Sequence, residues 1–88
     1  MSFQMAMGNG PKLRLLVAED ARELCRVELP TAAVDNLEDL FPDADRTAVV
    51  AAGFDLAAVR ERVQRSGYAP QVLVDASAGV RHYRLWIE

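Results

Sequence analysis

Two alternating stretches, one at each end of the chain, limit the fold more than any other feature. Gln71 to Asp75 is rich in β-branched residues, Ala76-Ser77-Ala78-Gly79 has turn chemistry, and Val80 to Ile87 alternates again. Side chains on a strand point to opposite faces in turn, so Tyr83, Leu85 and Ile87 share one face while His82, Arg84 and Trp86 share the other. Lys12 to Ala18 repeats the pattern, with Leu13, Leu15 and Val17 opposite Arg14 and Leu16. Arg22 to Leu29 follows, with Cys25, Val27 and Leu29 on one face and Leu24, Arg26 and Glu28 on the other. The polar Glu19-Asp20 between these runs suits a short hairpin connection. One hairpin is thus expected near each end.

Between the hairpins the period lengthens. Pro30-Thr31 can start a helix with Thr31 as its cap, and Val34, Leu37, Leu40 and Phe41 recur at helical spacing until Pro42 stops it. Asp43 or Asp45 can cap a short helix through Ala52, against the β-branched pair Val49-Val50, and Gly53 breaks it. Asp55 caps a clearer helix, Leu56 to Arg65, with Leu56, Val59 and Val63 on one stripe and Gly67 at its left-handed end. The order ββααββ predicts an α+β fold. Its sheet has four antiparallel strands from the two terminal hairpins, with two or three helices on one face. Strand order is left open. Gly8-Asn9-Gly10-Pro11 marks residues 1–11 as a flexible leader, which leaves 12–88 as a single domain.

A chain of 88 residues makes one domain with a thin core, burying roughly 60 to 65% of its unfolded surface. Hydrophobic residues at 51% and charged residues at 26% place it in the globular class. A net charge of −3 argues against non-specific binding to nucleic acid or anionic lipid. No apolar stretch approaches the ~20 residues of a spanning helix, so membrane insertion is not expected, and the amino terminus lacks a signal-peptide pattern. The lone Cys25 cannot form an internal disulfide, and with the lone His82 it cannot build a zinc site of the usual kind. A cytoplasmic protein without cofactor or metal is the expectation.

Three motifs have ordinary readings. Leu15 to Asp20 resembles the first strand and acidic pair of a response-regulator receiver, and Gln71 to Asp75 resembles its phosphoacceptor strand, with Glu19 and Asp20 then holding Mg²⁺ beside Asp75. That arrangement needs a helix over Ala21 to Leu29 and further βα units after Asp75, where the chain instead offers strands. Cys25 and His82 fall on opposite faces, so Cys25 reads as a small buried hydrophobe rather than a nucleophile. The acids Asp35, Glu38, Asp39, Asp43 and Asp45, and the bases Arg60, Arg62 and Arg65, read as solvated faces. No catalytic set emerges.

The face of the sheet away from the helices is less ordinary. It is expected to carry Leu16, Leu24, Leu73 and Trp86 among Arg14, Arg26, Arg84 and His82, with Glu28 and Asp75 on the same side. Four large apolar groups on a solvated face predict a covered surface, with those four as interface anchors and Arg14, Arg26 and Arg84 at the rim. A homodimer, through this face or through a strand edge, or a small protein partner is expected. Single-stranded nucleic acid stacked on Trp86 is the alternative, weakened by the single aromatic and the net acidity.

The segments Leu13-Arg14-Leu15-Leu16-Val17, Val27-Glu28-Leu29-Pro30, Gly53-Phe54-Asp55-Leu56 and Val72-Leu73-Val74-Asp75, with Val80 to Glu88, resemble the small bacterial SHOCT-like domain. That domain occurs alone and at the front of envelope stress proteins of the LiaX and YvlB type. The resemblance spans about Lys12 to Glu88 and rests on hydrophobic pattern and turn placement. It implies a non-enzymatic module of assembly, sensing or regulation. On this reading no following domain or membrane signal like that of the envelope proteins is expected, and Asp43 to Thr47 is a local difference.

Overall fold

The computed structural model describes residues 10–88, so most of the expected leader lies outside the described residues. The elements run β1 (Lys12–Glu19), β2 (Arg22–Pro30), a 3-10 helix (Thr31–Leu40), α1 (Asp43–Ala51), α2 (Leu56–Arg65), β3 (Gln71–Ala78) and β4 (Arg81–Ile87). The four strands form one antiparallel sheet in the order β2-β1-β4-β3, so the two hairpins join through β1 and β4. This is the expected α+β fold.

Both hairpins turn in two residues, since Glu19 pairs with Arg22 and Ala78 with Arg81. Asp20 (φ 51) and Ala21 (φ 66) are both left-handed, as a type I′ turn requires. In the second turn only Gly79 (φ 62) is left-handed, which is the type II′ arrangement. A glycine in that first position makes the turn compact, so β3 continues through Ala76-Ser77-Ala78 where the sequence suggested the turn began.

Two bulges change which side chains face the core. On β3 the register skips Leu73: Val72 pairs with Trp86 and Val74 with Leu85. An extra residue breaks the alternation. Leu73 (2% exposed) therefore enters the core beside Val74 and is not on the outer face, while Val72 (47% exposed) is. On β2 the register skips Leu24, because Val17 pairs with Cys25 and Ala18 with Glu23. Cys25 follows β1 on its inner side yet is exposed, not buried, because the first half of this edge strand is exposed throughout.

The first helical segment is a 3-10 helix rather than an α-helix, interrupted at Asn36 (φ −119, ψ 40). Three residues per turn align Val34, Leu37 and Leu40 on one side, and Val34 and Leu37 are wholly buried. Thr31 is not its cap: Pro30 holds that position with no side-chain bond. Pro42 likewise precedes α1, where neither Asp43 nor Asp45 caps; Asp43 instead accepts from Arg46 at 2.5 Å. Asp55 does cap α2, accepting from the Ala58 amide at 3.2 Å, and Gly67 (φ 70) and Tyr68 (φ 62) end it.

The core is a single cluster. Leu13, Leu15, Val17, Leu73, Val74, Ala76, Tyr83, Leu85 and Ile87 from the sheet meet Val34, Leu37, Phe41, Val49, Leu56, Val59 and Val63. Phe41 meets the Tyr83 ring edge-to-face at 6.3 Å. All the sheet's buried residues lie on its inner side or at the bulge.

Candidate interaction face

The outer side of the sheet is built from three cross-strand rows. The strand register gives Val72–Trp86–Arg14–Glu28, then Asp75–Arg84–Leu16–Arg26, then Ser77–His82–Ala18–Glu23. Of the residues expected here, Arg14, Leu16, Arg26, Arg84 and Trp86 do come together. Leu73 does not, and Leu24 sits at the β2 bulge, 43% exposed. Val72 replaces Leu73 in the apolar patch. The sequence held a sign of this: two adjacent large apolar residues, Leu73-Val74, cannot both obey the alternation and both be buried.

Charges on this face are locally paired. Arg14 Nη1 lies 2.5 Å from Glu28 Oε2, and Arg26 Nε donates to Glu23 Oε1 at 3.0 Å. Glu23, through its hydrogen bond first and its charge second, raises the Arg26 guanidinium above its ordinary value, so Arg26 stays cationic. The Arg84 guanidinium lies 5.1 Å from the Trp86 ring centroid, and Trp86 Nε1 donates to Glu88 Oε1 at 2.8 Å. Arg14, Arg26, Val27, Glu28 and Trp86 line a shallow cleft of about 260 Å³. A second cleft, of about 510 Å³, lies on the helical side among Glu38, Arg46, Val50, Phe54 and Leu56.

One constellation on the outer face escaped the sequence. Ser77 Oγ lies 2.9 Å from His82 Nδ1, and His82 Nε2 lies 2.8 Å from Asp75 Oδ1. This is the connectivity of a nucleophile, base and carboxylate, but all three groups are on an open surface, outside both clefts. The signal was present, since the hairpin register alone makes Ser77 and His82 neighbours. The receiver-like acids are not gathered: Glu19 reaches Arg81 at 3.9 Å, while Asp75 is on the outer face. Arg22–Pro30 is a strand where that arrangement needs a helix. No group of three or more metal-ligating side chains occurs among the described residues.

Two polar clamps hold the helical layer to itself and to the sheet. Tyr83 Oη donates to Asp45 Oδ1 at 2.6 Å and Arg81 Nη1 donates to the same oxygen at 2.9 Å, tying α1 to β4. Burial first, and this hydrogen bond second, raise the Tyr83 hydroxyl above its ordinary value. Gln64 Nε2 and Tyr68 Oη both donate to Asp35 Oδ1, at 2.9 and 2.8 Å, tying α2 to the 3-10 helix. These bonds lower Asp35 and raise Tyr68. Arg60 and Glu38 add an ion pair between the same elements.

No family model, curated protein or solved structure matches this chain. Among the described residues, no helix is long and apolar enough to cross a membrane.

Proposed function

We propose that this chain is a non-enzymatic assembly module that packs the outer face of its sheet against that of a second copy. The observation that carries this reading is the patch of Trp86, Val72 and Leu16, which no helix covers among the described residues. Four strands about 4.8 Å apart and seven residues long give a face of roughly 20 by 24 Å, a small interface by the usual standard. Arg14 and Arg84 lie on the central strands, whereas Glu23, Glu28 and Asp75 lie on the edges. A crossed copy lays its edge carboxylates over those central guanidiniums. Arg26 and Leu24 then stand at the rim.

The same acids count against nucleic acid. Arg14, Arg26 and Arg84 share the face with Glu23, Glu28, Asp75 and Glu88, and Arg84 already occupies a place against the Trp86 ring.

Sedimentation over a concentration series, with Trp86 fluorescence read on the same samples, tests the proposal. Concentration-dependent association that shields Trp86 is expected, and Trp86→Ala is expected to weaken the face contact by about 2 kcal/mol, roughly 30-fold in Kd. Unchanged sedimentation of Trp86→Ala would sink the idea. A hydrolase reading rests on the Ser77–His82–Asp75 relay. It requires turnover of an activated ester that both Ser77→Ala and His82→Ala abolish.

A further inference from the structure

We infer that β2 is a second contact, independent of the outer face. Along it two copies join antiparallel about a two-fold axis at Val27, making one eight-stranded sheet. The direction of the main-chain groups comes first. Lys12 exchanges both of its main-chain hydrogen bonds with Glu88, at 3.1 and 3.0 Å, so Lys12, Arg14 and Leu16 turn their N–H and C=O groups toward β4. Leu13, Leu15 and Val17 then turn theirs to β2, where Leu29, Val27 and Cys25 answer. The alternate residues Arg26 and Glu28 aim theirs outward, at the free edge. Pro30 falls in the same outward set, where a missing N–H breaks no bond to β1.

The two edges of the sheet are not alike. On β3 the Val72 carbonyl accepts from Arg62 Nη2 at 3.0 Å and the bulge at Leu73 interrupts the strand, so that edge is stopped. On β2 the side-chain bonds join side chains to one another, Arg14 to Glu28 and Arg26 to Glu23, and among the described residues no side chain reaches its main chain. The bulge at Leu24 and Pro30 bracket a regular run, Cys25 to Leu29, whose edge is open among the described residues.

Charge selects both the occupant and the register. With all helices on one side of the joined sheet, opposing residues must share a face, so the axis passes through a residue of the run. An axis at Arg26 sets Arg26 against Arg26, and one at Glu28 sets Glu28 against Glu28, both repulsive. An axis at Cys25 sets Arg26 against the bulged Leu24, and one at Leu29 sets Glu28 against Pro30, which has no N–H to give. At Val27, Arg26 of each copy faces Glu28 of the other, with four main-chain hydrogen bonds, while Val27 meets Val27 and Cys25 meets Leu29 on the inner side. A sequence self-complementary in one register fits a second copy of itself. The ladder Trp86–Arg14–Glu28 then continues into Arg26, Leu16 and Arg84 of the other copy, and both tryptophans face the same way.

Disulfide trapping in a Trp86→Ala background tests this contact separately from the face. In Cys25→Ser/Val27→Cys the only thiols face each other in a non-hydrogen-bonded pair with Cα atoms about 4.5 Å apart, inside disulfide range. Oxidation is expected to link that variant at least about tenfold faster than the chain carrying Cys25 alone, whose two thiols lie about 13 Å apart across the axis. Read by the same Val27→Cys crosslink, which the face contact cannot form, Glu28→Arg is expected to abolish the fast linking, and Arg26→Glu/Glu28→Arg to restore it. Trapping of Val27→Cys no faster than of Cys25, or a swap that fails to restore what the single reversal removed, would overturn the contact while leaving the face reading to its own measurement.

Discussion

A single skipped residue decides what the sheet shows to solvent. Strict alternation sends Leu73 outward and Val72 inward; the bulge reverses both, and Leu73 joins the core between the strands and the helices. Leu73→Ala is therefore expected to cost about 2 to 5 kcal/mol in urea unfolding, and Val72→Ala within about 0.5 kcal/mol. Equal costs would return Leu73 to the surface. Five of the seven residues expected on the outer face, Arg14, Leu16, Arg26, Arg84 and Trp86, do lie there, since period two holds wherever a strand is regular. Leu73 and Leu24 do not: Leu73-Val74 signals a break in the alternation, but which residue is skipped is decided by packing against other elements. The Asp45–Tyr83 bond was illegible for a similar reason: its partners sit on α1 and β4, and only the tertiary fold brings them together.

At the level of elements, turns and caps divide into those with a chemical signature and those without. Asp55 has one, and its bond to Ala58 is made; Asp55→Ala is expected to cost about 1 kcal/mol. Thr31 has the same signature and no bond, so Thr31→Ala is expected to change stability by less than about 0.5 kcal/mol in the same urea titration. The difference arises because Pro30 enters a 3-10 helix, whose tighter winding serves the three-residue spacing of Val34, Leu37 and Leu40. The first turn holds a further strain. Ala21 carries a side chain at φ 66, in the region where Cβ crowds the carbonyl oxygen. Ala21→Gly is expected to stabilise the fold by about 1 kcal/mol, seen as a higher urea midpoint.

For the molecule as a whole, the two clamps contribute to how stability varies with pH. Tyr83 and Tyr68 both stand above tyrosine's ordinary value of 10.0 in the folded chain, so the folded state holds protons that the unfolded state releases. Their contribution is complete below pH 10.0 and is lost as pH rises past it. Asp35 stands below its ordinary value of 3.8, so its contribution is present above that pH and lost as pH falls through the lower folded value. Thermal melts from pH 3 to 11 are expected to show a plateau falling at both ends, with Tyr83→Phe flattening the alkaline limb. An alkaline limb unchanged in Tyr83→Phe and in Tyr68→Phe would remove the clamps from the account. The order of elements was readable because each hairpin carries its own turn. The order of strands was not, since it depends on which pairs of hairpin edges meet, and here β1 and β4 share an unbroken register.

That register has a further effect on how the fold is reached. Of the described strands, β1 leaves the ribosome first and β4 last, yet they are hydrogen-bonded neighbours at the middle of the sheet. A nascent chain therefore holds its first hairpin with one side of β1 open until residues 81–87 are synthesised. The sheet is joined by closing a loop of nearly the whole domain. Such a topology folds late and slowly for its size, and until then the unpaired side of β1 is the surface a chaperone, or a misfolding neighbour, would meet.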